Sequence, residues 1–416
     1  MTTGDNYHFP EIRGLRVFRD LQVFRAFRPL FSVFLLLFLF PHHSFAQADL
    51  VLSATGCYTI PNSSEWSYIA DFGPGIDAAI QLPQVWCLQE NDSTLHLLRR
   101  PYNMGLRSNF TYFPNAIAGH RFSQSLYLQE RLLERGQRTF FFEFDFGLAC
   151  YTNPYSRSHD DANVFIGSYL NCMIQVGLAY RYRFMNQSAL WMSAMFTHSS
   201  NGYLVKPNKG LNYMQLQMGW QIPRRLPPQR ILERDNRLQI YDSTCFVYLP
   251  IQYPLAAFPR HDLMLSYASG LVKPRTVKVL DHYYYAYTAR VGWQYHLNPV
   301  RAVGANLDLT YNTTHNGIQN IEHDEYPLPF YVGLCGNYEA TYNRLTLHLG
   351  LAAYLLRSHQ AHTPYYERVG VFYELSKMER PVRHFVGVSL KAHSAHIDFI
   401  EWHYGLRFRV GKHKDV

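Results

Sequence analysis

The sequence predicts an all-β protein: a transmembrane antiparallel β-barrel of the outer-membrane type, its lumen filled by polar side chains. Three observations carry that expectation. Apolar and polar residues alternate with a period of two, the alternating runs are long, and the composition is rich in aromatics but poor in charge.

The alternation recurs along the chain. Phe140, Phe142, Phe144, Phe146 and Leu148 occupy every second position, with Glu143 and Asp145 between them. Ile174, Val176, Leu178, Tyr180, Tyr182 and Phe184 do the same around Gln175, Arg181 and Arg183. The pattern returns from Tyr287 to Leu297, with Arg290, Gln294 and His296 on the other face, and at Ala305, Leu307, Leu309 and Tyr311 around Asn306 and Asp308. Leu345, Leu347, Leu349 and Leu351 alternate with Thr346, His348 and Gly350. The last run is Ile400, Trp402, Tyr404, Leu406, Phe408 and Val410, interleaved with Glu401, His403, Arg407 and Arg409. Only a strand sorts such residues onto two faces.

A soluble β-sandwich also alternates, but its strands average about five or six residues. The runs here often reach about ten and begin or end on aromatics, as strands crossing a bilayer do. An open sheet edge is not tolerated in lipid, so the sheet must close. The expected product is a single barrel over residues 47–416, with about 12 to 16 strands and an even number of them. Charges of both signs on the inner face (Glu143, Asp145, Arg181, Arg183, Asp308, Arg407) would pair and fill a narrow lumen, which favours a plugged barrel over a wide pore. Residues 222–259 resist the pattern. They hold Pro223, Pro227, Pro228, Pro250, Pro254 and Pro259, so they read as a long connection and not as central strand.

Composition agrees. Aromatic residues make up 16% of the chain, with 32 Tyr and 28 Phe, and only 17% of residues are charged. Soluble domains carry about a quarter. A surplus of Tyr suits a surface that passes from water into lipid. The net charge of +8 is scattered, without a basic run or stripe. It suits anionic head groups and gives no reason to expect nucleic acid as a partner. The six cysteines (Cys57, Cys87, Cys150, Cys172, Cys245, Cys335) lie far apart with no CxxC, which argues against a zinc site and leaves disulfide pairing open.

Residues 1–46 read as a signal peptide. Arg13, Arg16, Arg19, Arg25 and Arg28 precede the apolar run Pro29 to Phe40, and Ser44-Phe45-Ala46 supplies small residues for cleavage. The alternative, a membrane anchor, needs about 20 apolar residues, and this run is much shorter.

One stretch stands out as chemistry: Thr197-His198-Ser199-Ser200-Asn201-Gly202, followed by Pro207-Asn208-Lys209-Gly210-Leu211-Asn212. The preceding strand puts Leu190, Met192, Ala194 and Phe196 outward, and the same phase carries His198 and Ser200 outward. The next strand puts Met214, Leu216, Met218 and Trp220 outward, and its phase read backwards gives Asn212. Polar groups on a lipid-facing surface are costly unless they sit at the interface or perform a function. His198 could take the proton of Ser200, and Asn212 could orient the imidazole through its side-chain oxygen. Asn201, with Gly202 beside it, is placed as the oxyanion hole for the attacked ester carbonyl. The bland reading is that Ser-Ser-Asn-Gly is only a turn.

His-x-Ser-Asn-Gly with an Asn fourteen residues after the His resembles the active site of outer-membrane phospholipase A, whose triad is Ser-His-Asn. The wider text is similar to the lipid A 3-O-deacylase family and its long Bacteroidetes-type relatives, often called acyloxyacyl hydrolases. The matching segments are Phe146-Gly147-Leu148-Ala149, Ile166-Gly167-Ser168 with Asn171, Pro207-Asn208-x-Gly210-x-Asn212, and Lys391-Ala392-His393 through Asp398-Phe399-Ile400-Glu401-Trp402. The resemblance implies that Ser200 is the nucleophile, His198 the base and Asn201 the oxyanion donor. It departs in two respects: the short bacterial deacylases have Glu at the position of Asn212, and their barrels have eight strands.

The expected function is therefore an outer-membrane serine esterase of a Gram-negative bacterium that removes an ester-linked acyl chain from lipid A. The alternatives are a phospholipase A acting on glycerophospholipids, or a non-catalytic barrel for transport or structure. No cofactor is called for, and the calcium dependence known in the phospholipase family falls on no particular residues. Two weaker candidates remain. His159-Asp160-Asp161 reads as a cation-binding loop or simply a solvated one. His393, His396 and Asp398 read as a polar cluster or as inward structural side chains.

Overall fold

Alternation becomes closure in this protein, and it does so twice. The computed structural model describes residues 49–410 apart from 157–161, 224–259, 273–282, 314–328, 358–362 and a few shorter turns. The expected signal peptide and nearly all of the proline-rich connection lie outside the described residues.

The first ring is built from β1 (Asp49–Ile60), β2 (Phe72–Gln81), β5 (Tyr102–Thr111), β6 (Arg121–Arg135), β7 (Arg138–Tyr151), β8 (Leu170–Arg183), β9 (Ala189–Ser200) and β10 (Leu211–Ile222). A short 3-10 turn, Ser64–Ile69, follows β1, and β3 (Val85–Asn91) pairs with β4 (Thr94–Arg99) as a separate hairpin between β2 and β5. The second ring runs in order through β11 (His261–Val272), β12 (Tyr284–Asn298), β13 (Arg301–Asn312), β14 (Phe330–Tyr342), β15 (Leu345–Leu356), β16 (Tyr365–Glu374), β17 (Val382–His393) and β18 (His396–Val410). All pairings are antiparallel. The first ring closes β1 on β10 and the second closes β11 on β18.

This corrects the expectation of one barrel. Among the described residues, sixteen barrel strands form two closed rings of eight. Alternation reports which face each side chain takes, and it is blind to which strand closes the ring. The lumen did contain the distinguishing clue. A ring of sixteen leaves an aqueous channel, whereas eight strands leave an interior that side chains just fill. Both interiors are filled here. In the first ring Arg107 meets Glu143 at 2.5 Å, Asp145 at 2.7 Å and Asp77 at 3.4 Å. Arg121 donates to Asn109, Thr111 and Gln215. In the second, Asp308 pairs with Arg290 and Arg368, Arg368 also holds Glu401, and Arg407 joins Glu339 and Glu374. Of the inward charges expected from the sequence, Glu143, Asp145, Asp308 and Arg407 are buried against opposite charge, Arg181 is buried beside Thr139 and over the Phe141 ring, and Arg183 is half-buried.

The outward faces are apolar, and part of each is covered by the other ring. Tyr102, Met104, Leu126, Leu128 and Phe144 of the first ring pack with Val300, Ala340, Leu347 and Val369 of the second. Along one end of this seam Tyr102 Oη donates to Thr341 O at 2.6 Å, and Glu130 binds both Arg301 and Tyr338. Because strands tilt, the seam crosses them. At its other end β8 meets β17 and β18, through Cys172 and Ile174 against Leu390 and Ile400. Away from the seam, large apolar residues such as Leu216, Met218, Trp402 and Tyr404 are exposed, as a lipid-facing surface requires.

Candidate functional site

The site sits where β9 ends and the connection to β10 begins. Along β9 the odd-numbered residues Trp191, Ser193, Met195, Thr197 and Ser199 are buried on the lumen side, while Met192 and Ala194 are exposed. His198 and Ser200 continue the outward phase to the last residue of the strand. β10 enters with Leu211 and Tyr213 inward, so Asn212 faces outward beside them. His198 and Asn212 are direct cross-strand partners, and so are Ile174 and His198, and Cys172 and Ser200. Sequence phase alone had put the three polar residues on one face, and register now brings two of them into contact. His198 Nδ1 and Asn212 Oδ1 lie 2.6 Å apart.

Outward does not mean open. His198 is 5% and Ser200 3% exposed, although the wall at that point faces away from the lumen. The cover is the 201–210 connection, which folds back over the strand ends. It is held by the loop before β8: Lys209 and Gly210 donate backbone N–H groups to Val164 O and Phe165 O at 3.1 and 3.0 Å. That loop is fixed in turn by Asn163, whose Oδ1 accepts from the N–H groups of Phe165 and Ile166. Beneath it, Phe165 and Ile166 plug the top of the lumen with Cys57, Phe113, Tyr151 and Tyr213.

Two glycines shape the cover. Gly210 has φ +77°, and a Cβ there would stand 2.4 Å from His198 Cε1, so only glycine lets the chain pass over the imidazole. At Gly167 a Cβ would meet Pro207 O at 2.4 Å and Val205 O at 2.5 Å, so the two loops touch backbone to backbone.

The donors around Ser200 differ from those expected. Asn201 Nδ2 points away from the hydroxyl and donates to Ser168 Oγ at 3.0 Å and Val205 O at 2.9 Å. Ser200 Oγ instead accepts from Asn208 Nδ2 at 2.7 Å and from the Gly202 N–H at 3.3 Å. Asn208 Oδ1 also accepts from the Asn201 N–H at 3.4 Å, which ties the two ends of the connection together. Gly202 keeps its expected position next to the hydroxyl, and its φ of +66° turns its N–H toward it. Sequence reading passed over Asn208 as a donor because strand phase stops at Ser200, and nothing in a loop's residue order says which amide folds back.

The weaker candidates separate. His159-Asp160-Asp161 lies outside the described residues. His393 pairs with Asp398, and its Nε2 is 2.8 Å from Tyr354 Oη, in the lumen mouth of the second ring. The side chain of His396 lies outside the described residues. Among the described residues no three His, Cys, Asp or Glu side chains converge as a metal site.

Comparison with known families divides the chain as the rings do. A family model described as lipid A 3-O-deacylase (PagL) matches residues 88–221, and one described as acyloxyacyl hydrolase, C-terminal domain, matches residues 260–410. Among solved structures, the outer membrane enzyme PagL is similar at 19% identity with a TM-score of 0.27, covering 42% of this chain and 99% of that one. A mutant porin of Rh. blastica gives 13% identity and a TM-score of 0.17, covering 87% of this chain and 98% of the porin. The TodX monoaromatic hydrocarbon channel, as a deltaS2 mutant, gives 8% and 0.16, covering 86% and 88%. A comparison with curated proteins finds no match.

Proposed function

The chain belongs to the lipid A 3-O-deacylase and acyloxyacyl hydrolase family of bacterial outer-membrane ester hydrolases, and from that premise we propose that it removes an ester-linked acyl chain from lipid A through a Ser200-His198-Asn212 triad. A lipid A substrate implies the outer membrane of a Gram-negative bacterium. The observation that carries the reading is the 2.6 Å contact between His198 Nδ1 and Asn212 Oδ1, one residue pair from the strand end that bears Ser200.

An amide oxygen can only accept, so this contact makes Nδ1 the protonated nitrogen of a neutral imidazole. Nε2 is then the basic atom, and it takes the proton of Ser200 as Oγ attacks the acyl carbonyl. As the tetrahedral oxyanion forms, Asn208 Nδ2 and the Gly202 N–H, both already directed at Ser200 Oγ, are the donors closest to it. Asn201 acts as a brace for the connection in this scheme. Collapse expels the sugar oxygen, which regains a proton from His198, and water then releases the fatty acid by the same steps in reverse order. Asn212 orients the imidazole without adding a negative charge.

The test is mass spectrometry of lipid A and phospholipids from cells expressing the wild-type protein or Ser200→Ala. Loss of one acyl chain from lipid A with the wild type alone supports the proposal, and identical lipid A in both sinks it. Asn212, where short deacylases carry Glu, keeps glycerophospholipid as the second reading. The same extracts report it as lysophospholipid.

A further inference from the structure

Building on the deacylase reading, we infer that the second ring forms one wall of the substrate site and determines which acyl chain of a multi-chain lipid reaches Ser200. Four observations converge on it.

The direct cross-strand partners of Ser200 and His198 are Cys172 and Ile174 on β8, and both point outward. An outward residue of an isolated ring would face lipid, yet Cys172 is only 7% exposed because Leu390 and Ile400 of the second ring pack on this patch. Leu390, itself outward on β17, is 1% exposed. The β8 flank of the nucleophile is therefore closed by protein.

Above this contact the second ring reaches the catalytic connection itself. Tyr283, just before β12, donates its Oη hydrogen to Leu204 O at 3.1 Å. Its hydroxyl is thus bonded to the loop that covers Ser200 and His198. Below the contact the rings diverge. Trp402, the next outward residue on β18 after Ile400, is 66% exposed, and Leu178 on β8 is 58% exposed. Leu178 and Trp402 are thus not covered by the contact that buries Cys172 and Leu390.

Among the described residues the opposite flank has no such barrier. Met214, Leu216 and Met218 on β10 and Tyr58 on β1 are all exposed to lipid. A lipid with several chains can approach Ser200 only with its bulk over β10 and β1. Only what fits between β9 and the edge carrying Ile400 and Trp402 can lie on the other side. The wall is a steric filter, since its named residues Leu390, Ile400 and Trp402 offer chiefly apolar surface beside the Tyr283 hydroxyl. Its effect falls on large substrates and leaves the chemistry at Ser200 untouched.

The experiment compares the wild type with Trp402→Ala and Tyr283→Phe as full-length proteins in detergent. The substrates are hexa-acylated lipid A and a short-chain p-nitrophenyl ester too small to meet the wall. Trp402 is exposed, so its truncation leaves the ring intact, and Tyr283→Phe removes one hydroxyl. The expected result is a change in which acyl position is lost from lipid A, or a fall in its rate by about tenfold, the scale of one apolar recognition contact. Hydrolysis of the short ester stays within about twofold. Wild-type rates and product pattern on lipid A in both variants overturn the inference, as does an equal fall on both substrates. Ser200→Ala run alongside reads the underlying assignment separately: loss of short-ester hydrolysis supports Ser200 whatever the wall variants do, and retention sinks Ser200 without bearing on the seam.

Discussion

Asn212 and His198 occupy directly paired positions of β10 and β9, and their side chains meet at 2.6 Å on the outer face of the wall. The pairing sets the tautomer of the imidazole and its rotation. Replacing Asn212 with Leu keeps the size and removes the acceptor. The expected effect is a fall in kcat of about 10²–10⁴-fold with little change in KM, the range seen when a base loses its orienting partner. Asn212→Glu restores an acceptor and adds charge, so it should retain activity. Steady-state kinetics on a soluble ester decides the point, and full activity in Asn212→Leu would remove Asn212 from the site.

Gly210 offers a test through backbone geometry. Its φ of +77° is strained for any side chain, and an added Cβ would lie 2.4 Å from His198 Cε1. Gly210→Ala should displace the imidazole and cut activity by about 10²-fold, the scale of an ångström-size misplacement. Gly136 is the control, since its φ is +56° and a Cβ there meets nothing within 4 Å. Gly136→Ala carries the conformational strain alone, about 1–2 kcal/mol, and should leave kcat unchanged. Equal kinetics in the two variants would show that the contact with His198 is irrelevant.

What could be read in the sequence, and what could not, follows from the range of each signal. Strand phase is local, so the outward placement of His198, Ser200 and Asn212 was legible from Leu190 to Phe196 and from Met214 to Trp220. The inward charges Glu143, Asp145, Asp308 and Arg407 were legible for the same reason, and all four are buried in lumens. Ring closure is not local. The pairings Leu50 with Ile222 and His261 with Val410 depend on residues far apart in the chain, and no alternation distinguishes them from one continuous ring. The seam was hidden for a further reason: Leu390 and Cys172 are apolar and outward whether lipid or protein covers them. The donor set was missed because Asn208 reaches Ser200 by a loop path that has no period.

Asn208 donates its side-chain amide to Ser200 Oγ while that of Asn201 binds Ser168 and Val205, so under the proposed mechanism their alanine variants should differ in kind. Asn208→Ala removes the 2.7 Å donor to Ser200 Oγ. Its expected cost is about 10²–10³-fold in kcat, as for a single oxyanion donor, with the thermal midpoint nearly unchanged. Asn201→Ala removes the bonds to Ser168 Oγ and Val205 O that join the two loops. It should loosen the cover, which protease cleavage within residues 201–210 would report, together with a smaller fall in kcat. If Asn201→Ala shows the larger kcat defect and an intact loop, the oxyanion role returns to Asn201.

The last prediction concerns the lumen of the second ring. Asp308 is buried and accepts from Arg290 Nε at 3.0 Å, from Tyr366 Oη at 2.6 Å and from Arg368. Asp308→Asn keeps the shape and removes the negative charge that two buried guanidinium groups share. Breaking a buried pair from one side costs about 3–5 kcal/mol, because the remaining charge stays out of water. Arg131 and Glu134 form the contrasting pair, 2.5 Å apart near a turn with side chains 21% and 31% exposed. Glu134→Gln should cost less than about 1 kcal/mol, since solvent screens the pair. Urea unfolding followed by tryptophan fluorescence in detergent should therefore show a clear drop in midpoint for Asp308→Asn and almost none for Glu134→Gln. Short-ester hydrolysis at low urea should persist in both, because Asp308 lies in the ring that does not carry Ser200. A wild-type midpoint in Asp308→Asn would mean that the lumen tolerates uncompensated charge, and that packing alone holds the second ring closed.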